Sequence, residues 1–516
     1  MTRLAAFALV LFALLAADAS AAPRLAVFTT DEPISAGPND AAVGLLVPGA
    51  GPETSREEAL ASLVRGEVRN SLRGGSPEGE PLIGVAPFPE RPPPFYVLVQ
   101  LPPNGTQAND KRYPVLVRAP GYRGILTSDS TRIPGLVSIA DIAPTALGQE
   151  GALSSQPDSD PAATLADLDA RIDGHNDSRV PGGLTAGVIL LVLALLWPRA
   201  GLLGFGVALV ANLALGLAEV SSFWPTLVVI GLAAASGWLL AQVIRSELEI
   251  GLFLGGIVLA YLVALGVDGT AVALSPFGPS QNSRFYGLSN FLETMLLVPA
   301  LAGAVYLWRR FGWPAFAAVA LLSFVTVTGN RFGADGGGAI VLVVGFTLLA
   351  VLLAGLRGKR LAVALGIAVA VAVGLVALDA AIGPSSHITR ALDSGPSGLA
   401  SDLRDRVALS WDRVAEQADI AAVVAVCLPV LAILVVRLLR SEAPMTRRAL
   451  PLSFAAALAA SLVVNDSPND VLTAGLVGYV VVEAVMLRDR CAVLSPSPGS
   501  SPASPSSLRG AATPRS

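Results

Sequence analysis

Charge is what this chain has least of. Of its 516 residues only 14% are Asp, Glu, Lys or Arg, against 53% hydrophobic ones, whereas soluble domains carry about a quarter charged residues. That balance excludes an ordinary soluble globular fold and points to a membrane protein. Lysine is nearly missing: Lys111 and Lys359 stand alone, and arginine supplies the remaining basic residues. No basic cluster forms a phosphate-backbone footprint, so a nucleic-acid partner is not expected. Cysteine is scarce as well. Cys427 lies in an apolar run and Cys491 near the C-terminus, which leaves the N-terminal polar region without a disulfide framework and the chain without a Cys-x-x-Cys or Cys/His metal signature. The two histidines, His175 and His387, sit in polar stretches and read as solvated surface residues. The phosphate-binding P-loop, the G-x-S-x-G elbow and the H-E-x-x-H pair are all missing. No metal or cofactor is expected.

What is present is organised in blocks. Residues 1–21 read as a signal peptide: Arg3 supplies the positive start, a short apolar run comes next, and Ala19-Ser20-Ala21 forms an A-x-A cleavage site. The competing reading is an uncleaved anchor helix, and either one exports the polar region beginning at residue 22. Residues 22–149 are polar to mixed. The runs "RLAVFTT", "VGLLVPG", "FYVLVQL" and "YPVLVRAPG" are short, β-rich and ended by Gly or Pro, with the charged helical stretch "SREEALASLVRGEVRNSL" between two of them. Such alternation predicts a small α/β domain. Residues 150–182, rich in Ser, Asp and Pro, read as a linker, and 183–490 as a polytopic transmembrane domain. Within it apolar runs long enough to span a bilayer lie near 183–198, 201–219, 224–243, 249–266, 287–308, 313–328, 337–356, 361–382, 418–439, 449–464 and 471–487. The fold class expected is therefore a multi-span α-helical membrane protein of about eleven transmembrane helices, with a small N-terminal α/β extracytoplasmic domain. The tail 491–516 is Pro/Ser low-complexity and reads as disordered and cytoplasmic.

Placing the α/β domain outside makes alternate loops cytoplasmic. Those loops carry Arg199, Arg245, Arg309 with Arg310, Arg357 with Lys359 and Arg360, Arg437 to Arg448, and Arg488 with Arg490, as the positive-inside rule requires. The expected location is thus a bacterial plasma membrane, with the C-terminus inside. The same assignment puts three polar stretches on the outer side: "SPFGPSQNSRFYGLSNFLE", "TGNRFGADGGG" and "NDSPND". A fourth outer segment, "SDLRDRVALSWDRVAEQ", has roughly helical apolar spacing and suits an interfacial helix.

The candidate substrate-binding residues come from the three stretches: Arg284, Tyr286, Asn290 and Glu293; Asn330, Arg331 and Asp335; Asn465, Asp466, Asn469 and Asp470. With a helix starting near 287, Glu293 lies about two turns into the membrane, where a carboxylate is costly and tends to face a cavity or a cation. Arg284 and Arg331 are the available partners. The glycines after Asp335 open a helix whose N-terminus favours anions. Two arginines beside such a helix start suit a phosphate or pyrophosphate group. The acids and amides of "NDSPND" suit a cation or sugar hydroxyls. Each stretch also reads as a plain polar turn, since Asn, Asp, Gly and Pro are turn residues. Three functions stay open: binding, transfer or movement of a phosphorylated or lipid-linked envelope precursor; proton- or cation-coupled transport through Glu293, Asp335 and Asp466; and a structural role with envelope protein partners. Membrane lipids are partners in each.

Residues 113–148, "YPVLVRAPGYRGILTSDSTRIPGLVSIADIAPTALG", resemble the C-terminal part of an alkaline-phosphatase-superfamily domain, on the strength of Asp141-Ile142-Ala143-Pro144-Thr145 and the preceding "TRIPG" loop. The layout is similar to that of the GPI ethanolamine phosphate transferases. It also resembles bacterial membrane proteins in which such a domain precedes spans bearing "RFYGIGNE"-like and "GxNxGAxxGG"-like stretches, here Arg284-Phe285-Tyr286-Gly287 and Gly333-Ala334-Asp335-Gly336-Gly337. The resemblance implies a phosphatase-like fold with two metals held by Asp and His and a Ser or Thr nucleophile. The chain departs from that pattern. Residues 22–148 contain no histidine, the domain is less than half the usual length, and Thr54 or Ser55 has no ligand set around it. The expectation is a shortened, metal-free and non-catalytic domain that serves for recognition.

Overall fold

A computed structural model describes residues 24–34, 41–149, 152–279, 285–329, 331–333, 336–356 and 395–488, with isolated positions between 358 and 374. The expected signal peptide, the Pro/Ser tail and most of the expected span 361–382 lie outside the described residues, as does His387.

Among the described residues the N-terminal part forms ten strands: β1 (Ala26–Thr30), β2 (Ala42–Val47), β3 (Glu53–Ser55), β4 (Val85–Pro87), β5 (Tyr96–Gln100), β6 (Thr106–Ala108), β7 (Tyr113–Arg118), β8 (Gly124–Ser128), β9 (Leu136–Ser138) and β10 (Leu153–Gln156). One mixed sheet runs β10-β8-β2-β7-β5-β1-β4, with β9 beside β2; β3 and β6 form a separate antiparallel ribbon. β1 pairs parallel with β4 and β5, and β5 antiparallel with β7. The central runs are apolar at almost every position because both sheet faces are covered. Val97, Val99, Val115 and Val117 pack in one cluster with Ala59 and Leu63, while Tyr96, Leu98 and Leu116 pack in another. Ala59 and Leu63 lie on α1 (Arg56–Arg65), which starts in a capping box between Ser55 and Glu58 and ends on left-handed Gly66. The "DIAPT" segment forms a 3₁₀ turn (Ile139–Asp141) and the short helix α2 (Ile142–Ala146), with Ile142 and Ala146 in the core.

The remainder is helical: α3 (Pro161–Leu196), α4 (Pro198–Leu217), α5 (Phe223–Val243), α6 (Glu247–Val267), α7 (Gly269–Ala273), α8 (Asn290–Phe311), α9 (Trp313–Thr328), α10 (Gly336–Ala354), α11 (Gly395–Glu416), α12 (Ala418–Arg440), α13 (Met445–Val464) and α14 (Pro468–Arg488). Nine of these, among the described residues, are long and apolar enough to cross a membrane; α9 is shorter. The chain is a multi-span helical membrane protein with an N-terminal α/β domain. Its helix bounds lie within a few residues of most of the spans expected from the sequence.

Two differences matter. The stretch 150–182, expected as a linker, contains β10 and the first half of α3. Its Ser/Asp/Pro run supplies an edge strand and then a helix start: the Asp160 side chain caps the Ala163 amide and Pro161 takes the first turn. The fifth span starts at Asn290 rather than near 287, with Ser289 as its N-cap. Glu293 therefore sits in the first turn of α8, not two turns down.

α8 is the central helix, buried along most of its length, whereas α12 is exposed along most of its own. Large apolar side chains such as Leu232, Leu259 and Ile433 point outward, as expected where lipid replaces water. The small residues Ala200, Gly204, Ala234 and Gly237 let α4 and α5 approach backbone to backbone, the packing mode that substitutes for hydrophobic drive within a bilayer.

The α/β domain is seated on one end of this bundle. Val47, Ile133 and Leu136 form an apolar joint with Leu168 and Ile172 of α3 and with Ala273 and Leu274. Beside it the Arg112 side chain, 1% exposed, pairs with Asp169 and Asp173 of α3, each at 2.6 Å. A buried guanidinium is tolerated because each of its faces meets an oxygen; Asp110 and Asp169 carbonyls complete the set.

Candidate functional site

The three polar stretches converge at the end of the bundle that carries the α/β domain. Gly287 adopts a left-handed φ of +76°, and a Cβ there would collide with the Gly333 carbonyl. Glycine is required for this contact, which ties the first stretch to the second. The side chain of Asn290, the first residue of α8, donates to Asp466 Oδ1 at 3.2 Å, tying the first stretch to the third. Asp466 Oδ2 takes an ion pair from Arg413 at 3.2 Å, and Arg413 also donates to Ser467 Oγ. Ser410 Oγ donates to the Asn465 carbonyl at 2.9 Å. Asp470, in the first turn of α14, lies within Coulombic reach of Arg413 and Arg179, and its Oδ1 accepts from Asn469. Several buried polar atoms here lack a partner among the described residues: Asn465 Oδ1, Asn469 Oδ1, Arg413 Nε and Arg179 Nε. Such groups are rare in folded proteins and mark places where a ligand, ion or water completes the set.

Glu293 faces the other way, into the bundle. It is 1% exposed, and its carboxyl lies against the first turn of α10: a Cβ on Gly338 would stand 2.9 Å from Glu293 Oε1. A carboxylate at a helix N-terminus meets the positive end of the helix dipole. Glu293 lies one residue past the capping-box position, which Leu292 occupies, and its carboxyl is turned to the start of a neighbouring helix. Glu293 also lines a cavity of about 10 Å³ with Ser323, Thr326, Leu296 and Leu342, room for about one water. Arg331, one of the two arginines expected to neutralise Glu293, is exposed, and no ion pair joins them among the described residues. Arg284, Asn330 and Asp335 lie outside the described residues.

Tyr286 turns to the α/β domain, where the Arg132 guanidinium stacks 4.0 Å from its ring centroid. A second tie runs through α11. Arg73, on a 3₁₀ turn of the α/β domain (Ser71–Arg73), pairs with Asp405 at 3.0 Å and reaches Asp412 at 3.9 Å. One helix thus holds the α/β domain through Asp405 and Asp412 and the polar junction through Ser410 and Arg413. Trp411 on the same helix is 72% exposed, as an aromatic anchor in a membrane interface is.

Sequence reading missed Arg413, Arg73 and Arg179. The helical spacing of "SDLRDRVALSWDRVAEQ" was the available signal for the first, but not which face turns inward. The sequence also misplaced His175, expected in a solvated loop. It lies on α3, is 6% exposed, and neither ring nitrogen has a partner among the described residues. Arg171 and Arg179 stand one turn away on either side; Arg171 donates to the Gly216 carbonyl and pairs with Glu219. At the opposite ends of the helices, Arg309 pairs with Glu247 and Arg437 with the buried Glu483, both at 2.7 Å.

In the α/β domain, Ser55 is occupied as the α1 cap and the Thr54 hydroxyl is buried without a partner among the described residues. Asp141 accepts from Ser128 and Ser130 hydroxyls, and burial raises its pKa above the usual carboxylate range against those hydrogen bonds. Among the described residues no group of three or more His, Cys, Asp or Glu side chains is placed to hold a metal ion. Comparison with family models, curated proteins and solved structures finds no match to this chain.

Proposed function

We propose that the protein is a cell-envelope membrane protein of the bacterial plasma membrane that binds a phosphorylated, lipid-linked precursor at the outer leaflet, for transfer or movement. The observation carrying this reading is the junction of Asn290, Asp466 and Arg413, where three distant segments bring amides, carboxylates and arginines together below the α/β domain. Arg413 and Arg179 each keep a buried Nε–H that meets no acceptor among the described residues, donors that suit a phosphate oxygen, and the exposed apolar flanks of the bundle suit a lipid chain. The α/β domain is read as an extracytoplasmic recognition module related to the alkaline-phosphatase superfamily. The metal pair of that superfamily does not fit the residues present, because residues 22–148 hold no histidine; no phosphatase step is derived for it.

The test is mass spectrometry of lipids retained by the full chain in native-lipid nanodiscs. A phosphorylated lipid enriched over the bulk membrane, and lost from Asp466→Ala and Arg413→Ala at equal protein yield, supports the reading. No enrichment, or equal retention by both variants, sinks it. A second reading, proton- or cation-coupled transport, draws on the buried Glu293 beside its cavity; gradient-dependent uptake in liposomes that Glu293→Gln abolishes favours it.

A further inference from the structure

The α/β domain contains a cleft of about 320 Å³ that the polar junction does not use, at the small end of the range for small-molecule sites. It opens where the parallel strands β1 and β5 end, the edge of an α/β sheet at which ligands generally bind. Asp31 follows β1, while Gln100 closes β5 and runs into Leu101, Pro103 and Asn104. Tyr113 stands at the start of β7, which the antiparallel register with β5 brings to the same edge. Arg56, the first residue of α1, crosses the cleft and pairs with Asp31 at 2.6 Å while donating to the Pro102 carbonyl at 3.1 Å.

The chemistry of this lining is specific in kind. The one guanidinium is neutralised by the carboxylate beside it, so the cleft offers little net charge to a phosphate. The Gln100 and Asn104 side-chain amides make no hydrogen bond within the protein among the described residues, and each offers a donor beside an acceptor. Leu101 and Pro103 add an apolar surface. Adjacent donors and acceptors over an apolar floor match the vicinal hydroxyls and C–H face of a sugar ring. We infer that this cleft binds a neutral saccharide through Asp31, Arg56, Gln100, Asn104 and Tyr113. The Tyr113 hydroxyl stays protonated and able to donate, since burial and nearby Asp110 raise its pKa. The inference deepens the proposed function and rests on it only for the link between parts: the α/β domain takes the sugar portion of a ligand whose phosphorylated lipid portion meets the bundle.

Saturation-transfer NMR on the full chain in neutral-lipid nanodiscs tests it, with methyl α-glucoside, methyl α-mannoside, N-acetylglucosamine and inorganic phosphate as probes. Saturable binding of at least one sugar is expected, weakened about fivefold to tenfold by Asn104→Ala and by Gln100→Ala, and not displaced by phosphate. Asn104 is exposed, so its substitution leaves the fold intact. No saturable signal from any sugar at about 10 mM, beyond which binding is negligible, overturns the inference. So does sugar binding unchanged in both variants, or displacement by phosphate. Asp466→Ala is expected to leave sugar binding intact while removing the retained lipid, so failure of one reading is distinguishable from failure of the other.

Discussion

Asn290 and Asp466 lie 176 positions apart and meet through one hydrogen bond of 3.2 Å. Asp466 simultaneously holds Arg413, so a single carboxylate joins α8, α11 and the loop between α13 and α14. Its side chain is about a quarter exposed, and the pairing energy is accordingly modest, about 1 kcal/mol for the ion pair. Asp466→Ala is expected to loosen α11 more than to unfold the bundle. Hydrogen exchange over residues 404–416 should accelerate, while exchange in α8 stays slow; unchanged exchange in α11 counts against the linkage.

Gly338→Ala gives a sharper stability test. An exposed helical glycine gains about 1 kcal/mol on replacement by alanine. Here the added Cβ meets Val327 Cγ1 and stands 2.9 Å from Glu293 Oε1, and overpacking costs about 1–3 kcal/mol. The expected result is a lower melting temperature, partly restored by adding Val327→Ala. A rise in melting temperature with Gly338→Ala alone would refute the packing described.

His175 contributes two buried ring nitrogens with no partner among the described residues. A buried unsatisfied polar group costs about 1–3 kcal/mol, so His175→Leu, which removes the polar atoms at similar size, is expected to raise the melting temperature by several degrees. Destabilisation instead would show that the ring is engaged.

The α/β domain is held to the bundle by Arg112 with Asp169 and Asp173 and by Arg73 with Asp405. Arg112→Ala removes charge-assisted bonds worth about 2 kcal/mol and leaves two carboxylates side by side. Limited proteolysis between residues 149 and 161 is expected to speed up in this variant, with Arg73→Ala adding to the effect. Equal cleavage rates would mean that the apolar joint alone sets the seating.

Asp141 predicts a pH dependence. Its pKa is raised in the folded domain, chiefly by burial, so the folded state holds the proton more tightly than the unfolded chain. Stability is greatest below the unfolded carboxylate value and declines as pH rises through the folded one. Asp141→Asn removes that titration. The pH profile of α/β-domain unfolding, followed by exchange at β8 and α2, should flatten over this window; an unchanged slope would exclude Asp141 as its source.

Much of the architecture was legible in the amino-acid order because it depends on local physics. Runs of about 17–25 apolar residues specify spans by length alone, and most helix bounds differ from those runs by only a few residues. The β-rich runs ended by Gly or Pro became β1, β2, β5 and β7, and the charged stretch beginning at Ser55 became α1. The strands β3, β4, β6, β9 and β10, three or four residues each, are too short to stand out in the sequence. The Ser/Asp/Pro run at 153–161 was misread, since the same residues that punctuate a linker also cap a helix.

The candidate site divides in the same way. Sequence alone marked Asn290, Glu293, Arg331 and Asp466 as polar residues at the ends of apolar runs, because charge near a membrane is costly wherever it sits. Which of them meet was decided only by tertiary packing. Gly287 lies against Gly333 and joins the first two stretches, Glu293 lies against Gly338, and Arg331 stays exposed. Arg413, an ordinary helix residue by sequence, became the partner of Asp466 because α11 folds back over the bundle. Hydrophobic length is a property of consecutive residues, whereas a hydrogen bond across 176 positions is a property of the packed whole.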